Sequence, residues 1–213
     1  MKFNIIDMNK WERREHFQHY DKGDNCSYSL TSNIDVTKLV CNVKQKKLKF
    51  YPVFIYIVTK AVNSMKEFRM ALDKDGNLGF YDEVSASYTI FHEDDKTFSC
   101  AFTKYDSDFE TFYKNITDDM EKYKDVKGFQ IVKSEPNSFP VSCVPWLNYT
   151  GFNLNVPIDI NFYAPIITWG KFVNNNGKLE MPLTVQINHA VADGYHTSML
   201  FKEIQDICLF LGQ

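Results

Sequence analysis

Hydrophobic and polar positions along this chain follow two periods, one typical of strands and one typical of helices, and the two interleave from end to end. Ser27 to Ile34 alternates polar and apolar residues, which predicts a strand. Asp35 can then cap a helix whose apolar residues recur at helical spacing. From Pro52 to about Met65 a wide apolar stripe predicts a largely buried helix with the proline in its first turn.

The same mixture continues to the end of the sequence. Asp75-Gly76 lies between two apolar runs and predicts a hairpin, and Asn174 to Gly177 predicts a second turn. Asp108 to Lys124 and the segment from Tyr195 onward predict amphipathic helices. Further strands are predicted at Tyr88 to Phe91, Thr97 to Phe102, Val141 to Val144, Tyr163 to Val173 and Leu179 to Asn188. This order predicts an α/β fold, a two-layer sandwich of one large mixed sheet with helices packed on it.

Composition narrows the class of protein. The 213 residues are 44% hydrophobic and 15% aromatic, which suits one domain spanning residues 1–213. A net charge of −3 gives no reason to expect a nucleic-acid partner. No apolar run approaches a membrane span or a signal peptide. The chain has five cysteines, an odd number, and no CxxC motif, so we expect reduced thiols in the cytoplasm.

The most informative residue lies at the end of the last predicted strand. Leu183, Val185, Ile187 and His189 share one strand face, so His189 ends an apolar row. Gly194 permits a sharp turn shortly afterwards, and Asp193 lies four residues beyond the histidine. This pattern suits a general base with an orienting carboxylate. It equally suits a satisfied core histidine beside a helix-capping Asp193, and the spacing alone favours that second interpretation.

A metal site is a further alternative, since His189, Asp193 and His196 fall at i, i+4 and i+7. Gly194 argues against a continuous helix there, and the chain contains no HExxH motif. We therefore expect no metal.

The segment from Asn188 to His196, Asn-His-Ala-Val-Ala-Asp-Gly-Tyr-His, resembles the HHxxxDG signature of coenzyme-A-dependent acyltransferases. It is most similar to the version found in the chloramphenicol acetyltransferase family. Other segments resemble that family's landmarks in the same order, so the resemblance covers essentially the whole chain. These are Trp11 to Phe17, Lys49 to Pro52, Glu67 to Ala71, Tyr88 to His92, Pro145-Trp146, Phe152 to Asn155 and Ala164 to Thr168.

The resemblance implies acetyl transfer from acetyl-CoA to a hydroxyl of chloramphenicol, and hence antibiotic resistance. It implies that His189 is the general base, that Ser142 donates to the oxyanion, and that Thr168 holds a water near the intermediate. Asp193 would pair with Arg13 and fix the loop that presents His189. The residues alone agree in part, because Arg is the better partner for a buried carboxylate and the chain has only three arginines.

The resemblance also implies two binding regions and an oligomer. The cofactor side would include Trp146 and Tyr51, with Lys49 and Lys171 meeting phosphates. The family is trimeric, so we expect a homotrimer in which His189 comes from one subunit and most of the acceptor pocket from its neighbour. The acceptor pocket would comprise Tyr20, Cys26, Thr89, Phe98, Phe129, Phe152, Leu154 and Val156.

Three departures from the family pattern put the acceptor in doubt more than the reaction. Asn188 replaces the first histidine of the signature, but it faces away from His189, and Ala192 replaces the cysteine. The segment from Asp21 to Asn25 is polar where the family usually has apolar residues at the pocket mouth. An acetyltransferase of another hydroxylated acceptor and a non-catalytic drug-binding relative therefore remain alternatives.

Overall fold

The elements of the chain alternate between strands and helices, as the two periods predict. The computed structural model describes residues 2–22, 26–155 and 162–212. Its strands are β1 (Phe3–Ile5), β2 (Ser27–Asp35), β3 (Met70–Leu72), β4 (Leu78–Tyr81), β5 (Ser85–His92), β6 (Thr97–Phe102), β7 (Ser138–Val144), β8 (Ile166–Gly170), β9 (Val173–Asn175) and β10 (Lys178–Asn188). Its α-helices are α1 (Arg14–Lys22), α2 (Thr37–Gln45), α3 (Phe50–Ser64), α4 (Phe109–Tyr123) and α5 (Gly194–Leu211), and Lys66–Arg69 form a short 3-10 helix.

Seven of the described strands form one mixed sheet in the order β2-β10-β8-β7-β5-β6, with β9 pairing to β10 beside them. β7 runs parallel to both β5 and β8, and the remaining neighbours are antiparallel. The expected large mixed sheet is therefore confirmed. A separate three-stranded sheet, β1-β4-β3, was not expected from the sequence.

The helices pack on one face of the large sheet. Leu183, Val185 and Ile187 of β10 project to that face and are buried. On the neighbouring strand Trp169 packs against Phe54 of α3, with ring centroids 4.9 Å apart. Full burial of such apolar side chains stabilises the fold by roughly 1.5–3 kcal/mol each. No helix in the described part of the chain is long and apolar enough to cross a membrane.

The opposite face of the same sheet is polar. The strand register places Thr184 of β10, Thr168 of β8 and Ser142 of β7 side by side in one row. Thr184 and Thr168 are buried on that face as well. Thr184 shares hydrogen bonds with Thr31 (2.7 Å) and with the hydroxyl of Tyr149 (3.2 Å).

Both predicted turns are present. Asp73 carboxylate oxygens accept the backbone N–H groups of Asp75 and Asn77, and Gly76 adopts a φ of 81°, which favours glycine. Asn176 and Gly177 join β9 to β10 with φ values of 51° and 86°. These values match the two-residue turn that suits the twist of a hairpin.

Two of the sequence predictions were wrong in detail. The strand expected from Tyr163 to Val173 is two strands, β8 and β9, because the backbone of Lys171 leaves the ladder. Its N–H donates to Leu147 and its carbonyl accepts from the Asn148 side chain. Asp35 does not occupy the cap position of α2, which is Val36. It ends β2 one residue earlier, where its carboxylate accepts from the N–H of Thr37 at 3.0 Å.

Candidate active site

His189 follows the last residue of β10, in a tight turn enclosed by aromatic rings. The ring of Tyr20, carried by α1, stacks on the imidazole at a centroid distance of 4.0 Å with 7° between the planes. Tyr28 of β2 meets the same imidazole edge-on at 5.0 Å. The backbone N–H of His189 donates to the carbonyl of Cys26 at 2.9 Å, which ties the turn to the start of β2. The orientation of the imidazole is therefore fixed by packing.

His189 is not a satisfied core histidine, as comparison with His92 shows. His92 is 3% exposed, and its ring nitrogens bond to the Lys124 carbonyl at 3.1 Å and the Ser99 hydroxyl at 2.8 Å. The Nδ1 of His189 is enclosed but has no hydrogen-bond partner among the described residues. Its Nε2 also makes no hydrogen bond among the described residues, and this atom is accessible from outside the turn. A fixed ring with one nitrogen open to a substrate is what a general base requires.

Tyr28 contributes no charge to this environment at neutral pH. Burial raises the pKa of its phenol to about 12, although its hydrogen bond with Thr197 acts in the opposite direction. That hydrogen bond measures 2.7 Å and links β2 to the first turn of α5. The Tyr28 ring beside the imidazole is therefore neutral and anchored to two elements.

Asp193 stabilises the same turn through contacts with α5 and with Arg13. It is the N-cap residue of α5, and its Oδ1 accepts the N–H of Tyr195 at 3.0 Å. Its Oδ2 accepts from Nη1 of Arg13 at 2.5 Å, so the ion pair that the resemblance implies is present. The Arg13 side chain is 15% exposed and the Asp193 side chain 33% exposed. Residues 189 and 193 are thus presented by one capped and charge-paired loop.

His196 completes the contacts of that carboxylate. Its Nδ1 lies 2.9 Å from Oδ1 of Asp193 and 3.3 Å from the Asp193 backbone nitrogen. Nδ1 cannot accept from the backbone and donate to the carboxylate at once, and the shorter contact to a charged oxygen is the stronger. Burial alone would raise the pKa of Asp193, but the hydrogen bonds and charges of Arg13 and His196 lower it to about 2. The carboxylate is therefore ionised at neutral pH.

Asn188 supports the same turn. Its side-chain Oδ1 accepts the N–H of Ala190 at 2.9 Å, and its backbone carbonyl receives the N–H groups of Val191 and Ala192 at 3.3 and 3.4 Å. Asparagine side chains commonly form such turns with the backbone two residues on. The departure from the family signature at this position thus leaves the geometry of His189 intact.

Ser142 and Thr168 lie far from His189 within one chain. Thr184, their neighbour in the strand register, precedes His189 by five residues along β10. At about 3.3 Å per residue along a strand and about 4.8 Å between strands, Ser142 lies roughly 19 Å from His189. The hydroxyl of Thr168 is buried and has no hydrogen-bond partner among the described residues. One chain therefore does not bring the base and the two hydroxyls together.

The residues expected to bind the acceptor fall into two groups. Tyr20 and Cys26 lie beside His189, as described above. Phe98 (47% exposed) and Phe129 (73% exposed) face each other at 5.9 Å on the polar side of the sheet, and Leu154 is 44% exposed there. The backbone N–H of Leu154 donates to Oε1 of Gln186 at 2.8 Å, and Nε2 of Gln186 donates to the Leu154 carbonyl at 2.6 Å. Phe152 packs on Tyr149, Thr89 lies on β5, and Val156 lies outside the described residues.

A cavity of about 400 Å³ opens where β5 and β7 diverge. These strands pair only as far as Tyr88 and Val141, although both continue beyond that point. The cavity therefore lies between Thr89 on one strand and Cys143 on the other, and Tyr51 closes it from α3. The remaining lining residues are Phe50, Ile90, Phe91, Met120, Pro145, Trp146 and Trp169.

Three of the four residues expected to bind the cofactor line this region. Tyr51 and Trp146 line the 400 Å³ cavity, and Lys171 lines an adjoining apolar cavity of about 290 Å³. Lys49 is exposed at the start of α3, one residue before Phe50. Tyr51 donates to the carbonyl of Thr89 at 2.9 Å, and burial raises its pKa. Cys143, which lines both cavities, follows Ser142 directly in the chain.

Cys143 of β7 is the only thiol among the residues that line the 400 Å³ cavity. Burial raises the pKa of its thiol to about 12, so it is protonated at neutral pH. A thiol is a poor nucleophile in that state. The Cys143 thiol therefore does not favour an acyl-enzyme. The described residues also contain no group of three or more His, Cys, Asp or Glu side chains that could hold a metal ion.

The sequence did not single out Tyr28 or His196 as parts of this site. Tyr28 pairs with Ile187 across the ladder, so it could have been found only from the strand register. The signal for His196 was available, since Asp-x-x-His can form a reciprocal cap at a helix start, as Ser-x-x-Glu does. The sequence pattern had indicated His196 only as a possible metal ligand.

Comparison with known proteins gives consistent matches over almost the whole chain. The family model described as chloramphenicol acetyltransferase matches residues 1–205. A chloramphenicol acetyltransferase of Clostridium perfringens is 46% identical over 208 residues, covering 97% of this chain and 95% of the relative. A namesake from Staphylococcus aureus is 41% identical and covers 97% of this chain and 96% of the relative.

Solved structures are also similar to this chain over most of its length. One described as a chloramphenicol acetyltransferase superposes with a TM-score of 0.84 at 25% identity, covering 96% of this chain and 99% of its own. A dihydrolipoamide acetyltransferase of Azotobacter vinelandii has a TM-score of 0.69 at 17% identity, covering 91% of this chain and 85% of its own. At that identity the likeness concerns the fold alone.

Proposed function

The chain belongs to the chloramphenicol acetyltransferase family, and from that premise we propose that it transfers the acetyl group of acetyl-CoA to a hydroxyl of chloramphenicol. It is an acyltransferase, and acetylation of the drug would confer resistance in the cytoplasm, where we place the reaction. The observation that carries the proposal is the fixed, unpaired imidazole of His189 between Tyr20 and Tyr28. Residues 1–213 would act as a single acyltransferase domain, consistent with one continuous hydrophobic core.

His189 acts as the general base in this proposal. Its open Nε2 takes the proton of the acceptor hydroxyl as the oxygen attacks the thioester carbonyl, and the proton then passes to the leaving thiolate. For Nε2 to be the base, the enclosed Nδ1 must carry the ring proton. Arg13 and Asp193 act as positioning residues, because they fix the loop and do not reach the imidazole nitrogens.

The co-substrate occupies the cavity between β5 and β7. Its apolar walls suit a pantetheine arm, and Cys143 in its wall is the chain neighbour of Ser142, which would receive the thioester on the polar face of the sheet. Trp146, which is 60% exposed, and Tyr51 contact the arm, and Lys49 and Lys171 meet phosphate groups. Ser142 donates to the developing oxyanion, where a pre-aligned donor stabilises charge that appears only in the transition state.

The active form is a homotrimer with sites between subunits. The separation of roughly 19 Å between His189 and Ser142 supports this arrangement, because a reacting centre needs both within a few ångströms. His189 lies beside β2, an edge strand of the large sheet, whereas Ser142 lies on the polar face of that sheet. Docking the edge of one subunit on the polar face of another would join the two halves. Phe98, Phe129 and Leu154 would then line the acceptor pocket.

A thiol-release assay with acetyl-CoA and chloramphenicol tests the proposal. We expect release of one thiol per acetylated drug in the wild type. A folded His189→Ala variant should lose about 10²–10⁴-fold in rate, since it lacks the base. His92→Ala is the control for loss of a histidine outside the site. Release of thiol with other hydroxylated acceptors but not with chloramphenicol would assign a different acceptor. Binding of the drug without thiol release would identify a non-catalytic relative.

A further inference from the structure

The net charge of −3 conceals a strongly asymmetric distribution. From Val36 to Lys66 the chain contains seven lysines and no aspartate or glutamate. This segment therefore carries a formal charge of +7 and leaves −10 on the rest of the chain. All seven lysines are exposed. The segment comprises α2 and α3, and α3 forms one wall of the cavity between β5 and β7.

The charge is densest in the connection between the two helices. Lys44, Lys46 and Lys47, called the lysine corner below, occur within four residues, and Lys49 follows at the start of α3. The backbone of the corner is held by hydrogen bonds from Lys46 to Asn42 (2.9 Å) and from Lys47 to Lys44 (3.1 Å). Lys47 adopts a left-handed φ of 54° in this turn. The three ammonium groups are thus carried by a fixed turn.

No carboxylate within the described part of the chain forms an ion pair with the lysine corner. Among residues 2–22, 26–155 and 162–212, the ion pairs include none made by Lys44, Lys46 or Lys47. Lysines elsewhere in the chain are commonly paired, as Lys114 is with Asp118 and Lys127 with Asp94. Lys49 does influence an acid, because it and Lys124, the nearer cation, lower the pKa of Glu121. The corner therefore presents an uncompensated positive potential.

The corner lies close to the mouth of the cavity. Phe50 and Tyr51, which line the cavity, follow Lys47 by three and four residues. At no more than about 3.8 Å per residue, the Cα atom of Lys47 lies within roughly 15 Å of that of Tyr51. This distance is on the scale of the Debye length, about 10 Å at 0.1 M salt. A charged ligand entering the cavity would feel the corner without touching it.

We propose that the lysine corner is an electrostatic recruiting surface for the phosphates of acetyl-CoA, acting at a distance and apart from any contact made by Lys49. The proposal rests on the function assigned above, because it takes the occupant of the cavity to be a coenzyme-A thioester. A concentrated patch of one sign raises the local concentration and association rate of an oppositely charged ligand. The neutral acceptor would gain nothing from it. The formal charge of −10 on the rest of the chain opposes the approach of a polyanion elsewhere, so the attraction is confined to this segment.

The size of the effect follows from screened Coulomb interactions. Three ammonium groups about 15 Å from a ligand with about four negative charges give on the order of a tenfold change in Kd at roughly 0.02 M salt. At roughly 0.5 M salt the same interactions fall to about twofold or less, because the Debye length is then near 4 Å. The dependence on salt distinguishes recruitment at a distance from a direct contact.

The experiment compares the triple variant K44Q/K46Q/K47Q with the matched triple variant K2Q/K74Q/K104Q. The control removes the same charge from exposed lysines that make no ion pair among the described residues. Calorimetric titration measures the Kd of acetyl-CoA and of acetylpantetheine, which has no phosphate, from 0.02 to 0.5 M salt. We expect an approximately tenfold weaker Kd for acetyl-CoA in the corner variant at low salt, converging on wild type at high salt. Binding of acetylpantetheine should not change.

An equal effect in the two triple variants, an effect that persists at 0.5 M salt, or an unchanged Kd would each overturn the proposal. Thiol release is assayed separately on the wild type. If acetyl-CoA binds with the expected salt dependence but no acetyl group is transferred to any hydroxylated acceptor, the assigned function fails and the recruiting surface stands. If turnover is normal and the corner variant binds like wild type, the recruiting surface fails and the assigned function stands.

Discussion

Replacing Asp193 with asparagine tests whether the loop that carries His189 depends on the ion pair with Arg13. The substitution keeps the shape of the side chain and its ability to cap α5, since asparagine and aspartate are comparable N-caps. It removes the negative charge that accepts from Arg13 Nη1 at 2.5 Å and from His196 Nδ1 at 2.9 Å. The Arg13 side chain, 15% exposed, would then keep a charge with no partner.

The expected loss of stability can be obtained in two ways. A hydrogen bond to a charged group contributes about 1.5–3 kcal/mol. Independently, Asp193 has a pKa of about 2 in the folded protein, against about 3.9 in an unfolded chain. That difference corresponds to about 2.5 kcal/mol before discounting for the carboxylate's partial exposure. We therefore expect Asp193→Asn to lower the free energy of unfolding by about 2 kcal/mol, and Tm by roughly 4–8 °C.

The pH dependence has a definite sign. Because the pKa of Asp193 is depressed in the folded state, its contribution is fully present above the unfolded pKa, near 4, and is lost as pH falls toward 2. The difference in stability between wild type and Asp193→Asn should therefore be constant at neutral pH. It should shrink between about pH 4 and pH 2.

The assay is thermal unfolding of the wild type, Asp193→Asn, Arg13→Val and the double variant, with kcat measured on each. A coupling free energy of about 1–2 kcal/mol between the two sites is expected, with kcat reduced in all three variants. An unchanged Tm in Asp193→Asn together with a loss of rate of about 10³-fold or more would refute the reasoning. It would assign the carboxylate a direct part in the chemistry.

Three further predictions concern the sheet and the assembly. Ser142→Ala should lower kcat by about 10²–10³-fold with both Michaelis constants nearly unchanged, and a raised KM with intact kcat would make it a substrate-binding residue. Gly170→Ala should destabilise the protein by about 1–3 kcal/mol in thermal unfolding, because a Cβ there would lie 2.7 Å from the carbonyl of Leu147. Gly151→Ala, whose Cβ would meet nothing within 4 Å, is its control. Sedimentation should give a trimer mass, and a fully active monomer would contradict the shared site.

The local elements of the fold could be predicted from the sequence, because each depends on a short period or a turn. The alternation of β2 and the apolar stripe of α3 are properties of adjacent residues, and the turn at Asn176-Gly177 needs only residues that tolerate positive φ. α1 was not predicted, because only two of its side chains, Phe17 and Tyr20, pack inward. The strand expected at residues 163–173 was too long, since the bonds that divert Lys171 come from a distant segment.

The residues of the candidate site were likewise predictable from the sequence only where the signal is local. His189 and Asp193 were found from a motif within seven residues, where a strand end, a turn and a helix cap are all local signals. Nothing near Ser142 marks it, and its neighbours in the row, Thr168 and Thr184, are brought there by strand register alone. Long-range pairing decides register, and a shift of one residue would turn Ser142 to the opposite face.

The chain by itself thus determined the elements, the base and the loop that presents it. Tertiary structure decided what surrounds them: the two tyrosine rings that leave His189 fixed and unpaired, and the gap between β5 and β7 that forms the cavity. It also separated the base from Ser142 by a distance that one subunit does not bridge. The physical reason is that periodicity reports which side of an element is apolar, whereas the partner of that side is chosen by packing among distant segments.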